Sequence, residues 1–201
     1  MSAVGRAQPL AGQPGCVDTA AAGVNGNALV GLRSATGAAL IAATVLASAA
    51  CTLDASVVKV AVPAIGNGLH AQVSTLQWTV TGYLLTVAAL LLLTGSLADR
   101  FGGGRVLAVG LLVMLGSAVV CSAAPSVGVL IAARIVQGVG SALVVPSSLA
   151  LLNGTLRASD RARGIGIWAA LETLAAGFGP YAGGWLVDHV SWRAVFLLDV
   201  P

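Results

Sequence analysis

Two long apolar runs, Trp78 to Leu97 and Val106 to Ala124, are separated only by a short charged stretch, Gly95–Arg105 (GSLADRFGGGR). Each run has about the 20 residues that a helix needs to cross the hydrocarbon core of a bilayer. No other feature restricts the fold so strongly, because two such runs back to back leave only a polar turn at one membrane face. Composition agrees. The chain is 57% hydrophobic and 8% charged, against about 25% charge in ordinary globular chains. So few polar groups cannot coat a water-facing surface. In lipid, a backbone must satisfy its own hydrogen bonds, and helices do so segment by segment. The alternating short segments of a membrane barrel are absent. The fold class expected is therefore an all-α, polytopic membrane protein.

Five spans and the start of a sixth follow from the apolar pattern: 36–62, 77–97, 106–124, 127–152 and 164–187, with the sixth beginning at Arg193 and cut off at Pro201. Residues 1–33 contain Gly, Ala and Pro without an apolar period and are expected to be a disordered cytoplasmic tail. The segment from Arg33 to Cys51 is similar to a secretory or lipoprotein signal, but over thirty residues precede it and the apolar run continues to Pro63. An uncleaved first span is the better reading.

Orientation follows from the basic residues. Arg6, Arg33, Arg100, Arg105, Arg157, Arg161 and Arg163 fall at one membrane face, Arg193 alone at the other, and Lys59 and Arg134 lie within spans. The expected topology has a cytoplasmic N-terminus and cytoplasmic 2–3 and 4–5 connections. Trp78, Trp168, Trp185 and Trp192 all fall near expected span ends, as an interfacial aromatic belt requires. The net charge of +3 is too scattered to suggest nucleic acid. Cys16, Cys51 and Cys121 lack metal-ligand or redox spacing and read as small hydrophobes.

Charges inside the spans carry the functional signal. Asp54 falls in the outer half of span 1, where a carboxylate is costly and tends to face a bundle interior or wet cavity. It is a candidate to bind and release a proton. Lys59, five residues on, is badly placed to pair with it along one helix and is expected to reach the outer face. Arg134 shares a face of span 4 with Gly138, Ser141 and Val145, beside Gln137; it reads equally as a structural clamp or as a partner of a proton-carrying acid or substrate anion. Glu172 shares a face of span 5 with Ala176, Gly179 and Gly183. It is either a second titratable group, or a substrate contact, or a cytoplasmic-half residue reaching water, the last slightly favoured. Pro180 should kink that span, and Gly177, Gly179, Gly183 and Gly184 allow close helix approach. No phosphate-binding loop, nucleophile elbow or zinc-protease motif is present, so neither an enzyme, a metal nor a cofactor is expected. His70 and His189 fall in expected outer loops.

Several of these stretches resemble one family. Gly95-Ser-Leu-Ala-Asp99-Arg100-Phe-Gly102 with Arg105 resembles the 2–3 loop signature of the major facilitator superfamily, and Leu130 to Gly140 its fourth-span motif. Gly177-Phe-Gly179-Pro180-Tyr-Ala-Gly183-Gly184 is similar to the fifth-span motif of its drug:proton antiporters. Leu53 to Pro63 and Trp192 to Pro201 resemble the first- and sixth-span motifs of the fourteen-span branch. The resemblance implies an inner-membrane secondary transporter exporting amphipathic or cationic compounds against proton entry, with residues 34–201 as its N-terminal bundle. Asp54 would then bind the proton with help from Arg134, Asp99 would anchor a cytoplasmic gate, and a second, C-terminal bundle would be needed for rocking about a midplane site. Departures are Gly103 and Gly104 in place of basic residues, Lys59 in place of Asn, and Asp199 in place of Asn. The alternatives are a carrier of a metabolite or organic anion, and an inactive truncated membrane protein.

Overall fold

The computed structural model describes residues 34–198; the expected tail over 1–33 and the end of the sixth-span stretch lie outside them. Six helices follow in order: α1 (Ala35–Leu69), α2 (Val73–Phe101), α3 (Gly103–Ser122), α4 (Val127–Thr155), α5 (Ala158–His189) and α6 (Ala194–Leu197). No strand ladder interrupts them among the described residues.

The helices are longer than the apolar runs because polar residues at the ends serve as caps. Ser34 accepts a hydrogen bond from the Gly37 amide at 3.1 Å, and Ser126 accepts one from Val129 at 3.5 Å, each satisfying an otherwise unpaired first-turn donor. Pro63 does not end the first helix. Its ring removes one backbone hydrogen bond, but Ala61 and Ile65 on either side are fully buried and hold the segment in register. Pro180 likewise lies inside a continuous α5.

The charged stretch after the second run is almost entirely helical. α2 continues through Asp99 and Arg100 to Phe101, and the connection is Gly102 alone. Gly102 has φ +87°, a conformation that costs glycine nothing and other residues much. Its amide donates to Ala98 and its carbonyl accepts from Arg105 and Val106, so one residue closes α2 and opens α3. Gly95, Asp99, Arg100 and Arg105 are exposed.

Four helices, α1 to α4, are long and apolar enough to cross a membrane. α5 has the length, at 32 residues, but its glycines, Glu172 and arginine-rich first turns dilute it below that mark. Leu85, Leu92 and Leu112 are 61%, 87% and 70% exposed, which is normal against lipid and untenable in water.

α4 is the hub, packed against α2, α3 and α1, while α5 packs chiefly on α1. Glycines set the close approaches. A Cβ on Gly138 would fall 2.8 Å from the Tyr83 carbonyl oxygen of α2, and one on Gly140 would fall 2.8 Å from the Met114 nitrogen of α3. Apolar clusters follow one another along α1: Ile41 and Val45 with Leu152 and Leu156, then Cys51 with Met114 and Val144, then Val57, Val58, Ala61 and Ile65 with Leu130 and Phe196. Between the second and third clusters, the chain puts its charges.

Candidate functional site

Asp54 and Arg134 meet in that gap. Because α1 runs on to Leu69, Asp54 lies near the helix midpoint rather than in its outer half. The Arg134 Nη1 donates to Asp54 Oδ2 at 2.5 Å, and the two side chains are 0–1% exposed. A lone buried charge would cost several kcal/mol, of order, and a close partner offsets much of that.

Arg134 makes further contacts in this gap. Nη1 also donates to Gln137 Oε1 at 2.9 Å, and Nε donates to the Thr79 carbonyl of α2 at 3.2 Å. The guanidinium carbon lies 4.2 Å from the centre of the Tyr83 ring, within cation–π range. Tyr83 in turn donates its hydroxyl to Ser141 at 2.9 Å. One guanidinium thus ties α1, α2 and α4 together. The other carboxylate oxygen, Asp54 Oδ1, is buried without a hydrogen-bond partner among the described residues.

Arg134, Gln137 and Ser141 are all on the α4 face singled out in the sequence. Tyr83 and Thr79 were missed. The signal available was a tyrosine amid leucines in the second run, an aromatic with a polar handle that must find a partner when buried. Lys59 is exposed and takes no part.

Glu172 is elsewhere. It lies near the midpoint of α5, half-buried, and accepts a hydrogen bond from the Thr52 hydroxyl of α1. Because α5 begins at Ala158, Glu172 stands fourteen residues into the helix, on the side that packs against α1. Its Oε1 is buried and unpartnered among the described residues. Trp168 sits one helical turn before Glu172 and donates Nε1 to Ser48 of α1 at 2.8 Å.

The fifth-span motif divides in two. Gly179 and Gly183 seat α5 on α1, since a Cβ at either would fall 2.5 Å from Ser56 Cβ or 3.0 Å from the Val57 carbonyl oxygen. Gly177 and Gly184 have nothing within 4 Å, and Pro180 is exposed. Asp99, Arg100 and Arg105 lie apart from the buried pair at the arginine-rich end of the bundle. Cys51 and Cys121 are buried in apolar clusters, and Cys16 falls outside the described residues. Among the described residues no group of three His, Cys, Asp or Glu side chains is placed to hold a metal.

A charged pair sealed mid-helix, inside a bundle whose outer surface suits lipid, defines a multi-pass helical membrane protein. Residues 44–201 match the Major Facilitator Superfamily, and the chain belongs to it. It is 43% identical over 169 residues to the methylenomycin A resistance protein of Bacillus subtilis, covering 84% of this chain and 36% of that protein. It is 42% identical to the methylenomycin A resistance protein of Streptomyces coelicolor over 75% of this chain and 32% of that one. To the tetracenomycin C resistance and export protein of Streptomyces glaucescens it is 38% identical, over 74% of this chain and 28% of that protein. The chain spans about a third of the length of these curated relatives.

Proposed function

We propose that the complete transporter carrying this chain exports amphipathic or cationic drug-like compounds across the inner membrane in exchange for protons. The observation that carries this reading is the Asp54–Arg134 pair with its unpartnered carboxylate oxygen. A proton arriving at Asp54 Oδ1 neutralises the carboxylate and weakens its grip on Arg134. The guanidinium keeps Thr79, Gln137 and Tyr83, so it stays on the α2–α4 side while α1 is released. Protonation thereby acts on the seam between α1 and α4, a two-state element of the kind alternating access requires. The names of the relatives support export of antibiotics and other drugs.

In this reading the N-terminus and the arginine-rich ends face the cytoplasm. Gly95, Asp99, Arg100, Gly102 and Arg105 serve as a gating connection, with Asp99 anchoring neighbouring helices by charge. Gly177, Pro180 and Gly184 present the outward half of the antiporter motif. A second, C-terminal bundle supplies the surface against which this one rocks.

The test uses cells expressing the complete transporter, loaded with a fluorescent cation. Asp54→Asn is expected to abolish efflux driven by a pH gradient. Undiminished gradient-driven efflux in that variant sinks the coupling role.

A further inference from the structure

We infer that the open groove where α2, α3 and α4 meet, at the arginine-rich end of the bundle, holds one anionic phospholipid, with an acyl chain in the groove and the phosphate at Arg105. The inference does not depend on what the complete transporter carries.

The walls suit a hydrocarbon chain. The groove is lined by Leu97 and Phe101 of α2, by Arg105, Val106 and Val109 of α3, and by Leu143 of α4. All but Arg105 are apolar. Its volume is about 250 Å³, below the roughly 300–1,000 Å³ of pockets that enclose a drug-sized molecule. Phe101 and Val109 are 56% and 53% exposed, so the groove opens on the outer surface of the bundle. Leu97 and Val109 each stand one helical turn from the corner residues Phe101 and Arg105, a depth of about 6 Å along the helices. That is too short to seat a membrane-crossing helix of about 20 residues, and long enough for the first part of an acyl chain.

The charge at its mouth selects the head group. Arg105 lines the groove, and the Arg100 guanidinium lies 5.7 Å from the centre of the Phe101 ring on the α2 wall. Both arginines are exposed, and neither forms an ion pair among the described residues. Asp99, the acid nearest to them in sequence, lines no part of the groove. Arg105 also stands in the first turn of α3, which carries no acidic residue, so the positive end of the helix dipole adds to its charge. A lipid whose phosphate has no compensating amine is the membrane component that this combination favours. Every bilayer lipid carries chains, so the groove contributes fit while the arginines contribute the preference between lipids.

The experiment is native mass spectrometry of the complete transporter in detergent, titrated separately with phosphatidylglycerol and phosphatidylcholine of identical chains. It reads the dissociation constant of the first lipid bound. The wild type is expected to prefer phosphatidylglycerol about fivefold or more, the effect of one surface arginine on an anionic lipid. Arg105→Gln should remove most of that preference and Arg105→Lys should keep it. Arg163→Gln alters an exposed arginine at the same end but outside the groove, and should leave the preference unchanged. Val109→Trp fills the groove and should weaken phosphatidylglycerol binding several-fold in a monodisperse protein. Equal affinity for the two lipids, a preference that survives Arg105→Gln, or binding indifferent to Val109→Trp overturns the proposal. So does an equal loss in Arg163→Gln, which would mean diffuse attraction by the arginine-rich end and no site. These measurements involve neither a proton gradient nor an exported compound, so their failure is distinct from failure of the Asp54 test.

Discussion

α1 offers two seams, and they are built on opposite plans. Toward α4 it presents Asp54, which is clamped by a guanidinium with four separate contacts and sealed from every side. Toward α5 it presents Ser48, Thr52, Ser56 and Val57, against a half-buried carboxylate and two glycines. The first seam holds matched charges; the second holds close-fitting backbones and one unmatched charge. Thr52 and Asp54 are only two residues apart, so the helical twist alone sends them to different neighbours. The lesson is that one helix can carry a locked polar contact and an open one at the same depth.

The largest effect should come from unlocking the first seam. Arg134→Met leaves a buried carboxylate without its counter-charge, which costs about 3–5 kcal/mol, read as a lower thermal midpoint of the detergent-purified protein. Combining it with Asp54→Asn should recover part of that loss; a double variant no more stable than the single one breaks the comparison. On the second seam, Gly183→Leu forces a side chain into the space held by Val57 and should cost about 1–3 kcal/mol. Gly177→Leu, with open space around it, should stay within about 0.5 kcal/mol. Similar losses in both would mean that α5 is seated by some other face.

A smaller effect is expected for Thr52→Val, which strips Glu172 of the hydroxyl donor it has among the described residues. It should cost about 1.5 kcal/mol, at the low end for a hydrogen bond to a charged group. Tyr83→Phe should be milder still, about 1 kcal/mol. It removes the Ser141 hydrogen bond but keeps the ring under Arg134, so its stability measured alongside Tyr83→Leu separates hydroxyl from ring.

Helices α1 to α4 were legible in the sequence because lipid imposes one rule, length plus apolarity, that composition records directly. Asp54, Arg134, Gln137 and Glu172 stood out for the same reason, as polar residues in apolar runs. Their partners were less legible. The pairing of Asp54 with Arg134 spans 80 residues, and helical spacing speaks only of neighbours on one helix. Lys59, the base nearest Asp54 in sequence, is exposed and is not its partner. The bond from Trp168 to Ser48 was not legible for the same reason, since it joins two helices 120 residues apart. The charged 2–3 stretch was read as a loop, yet a helix can carry charge on its last turns if one glycine makes the corner.

The α1–α5 seam also sets a schedule. Its partners, Ser48 with Trp168 and Thr52 with Glu172, are 120 residues apart in the chain. At a ribosomal pace of about 5–20 residues per second, α1 waits roughly 6–24 seconds for α5 to emerge. Ser48 and Ser56 spend that interval safely, since each hydroxyl already donates to a carbonyl one turn back, Thr44 and Thr52 respectively. Thr52 alone has its hydroxyl committed to the late arrival, which makes it the place where the nascent first helix is left wanting until the fifth is made.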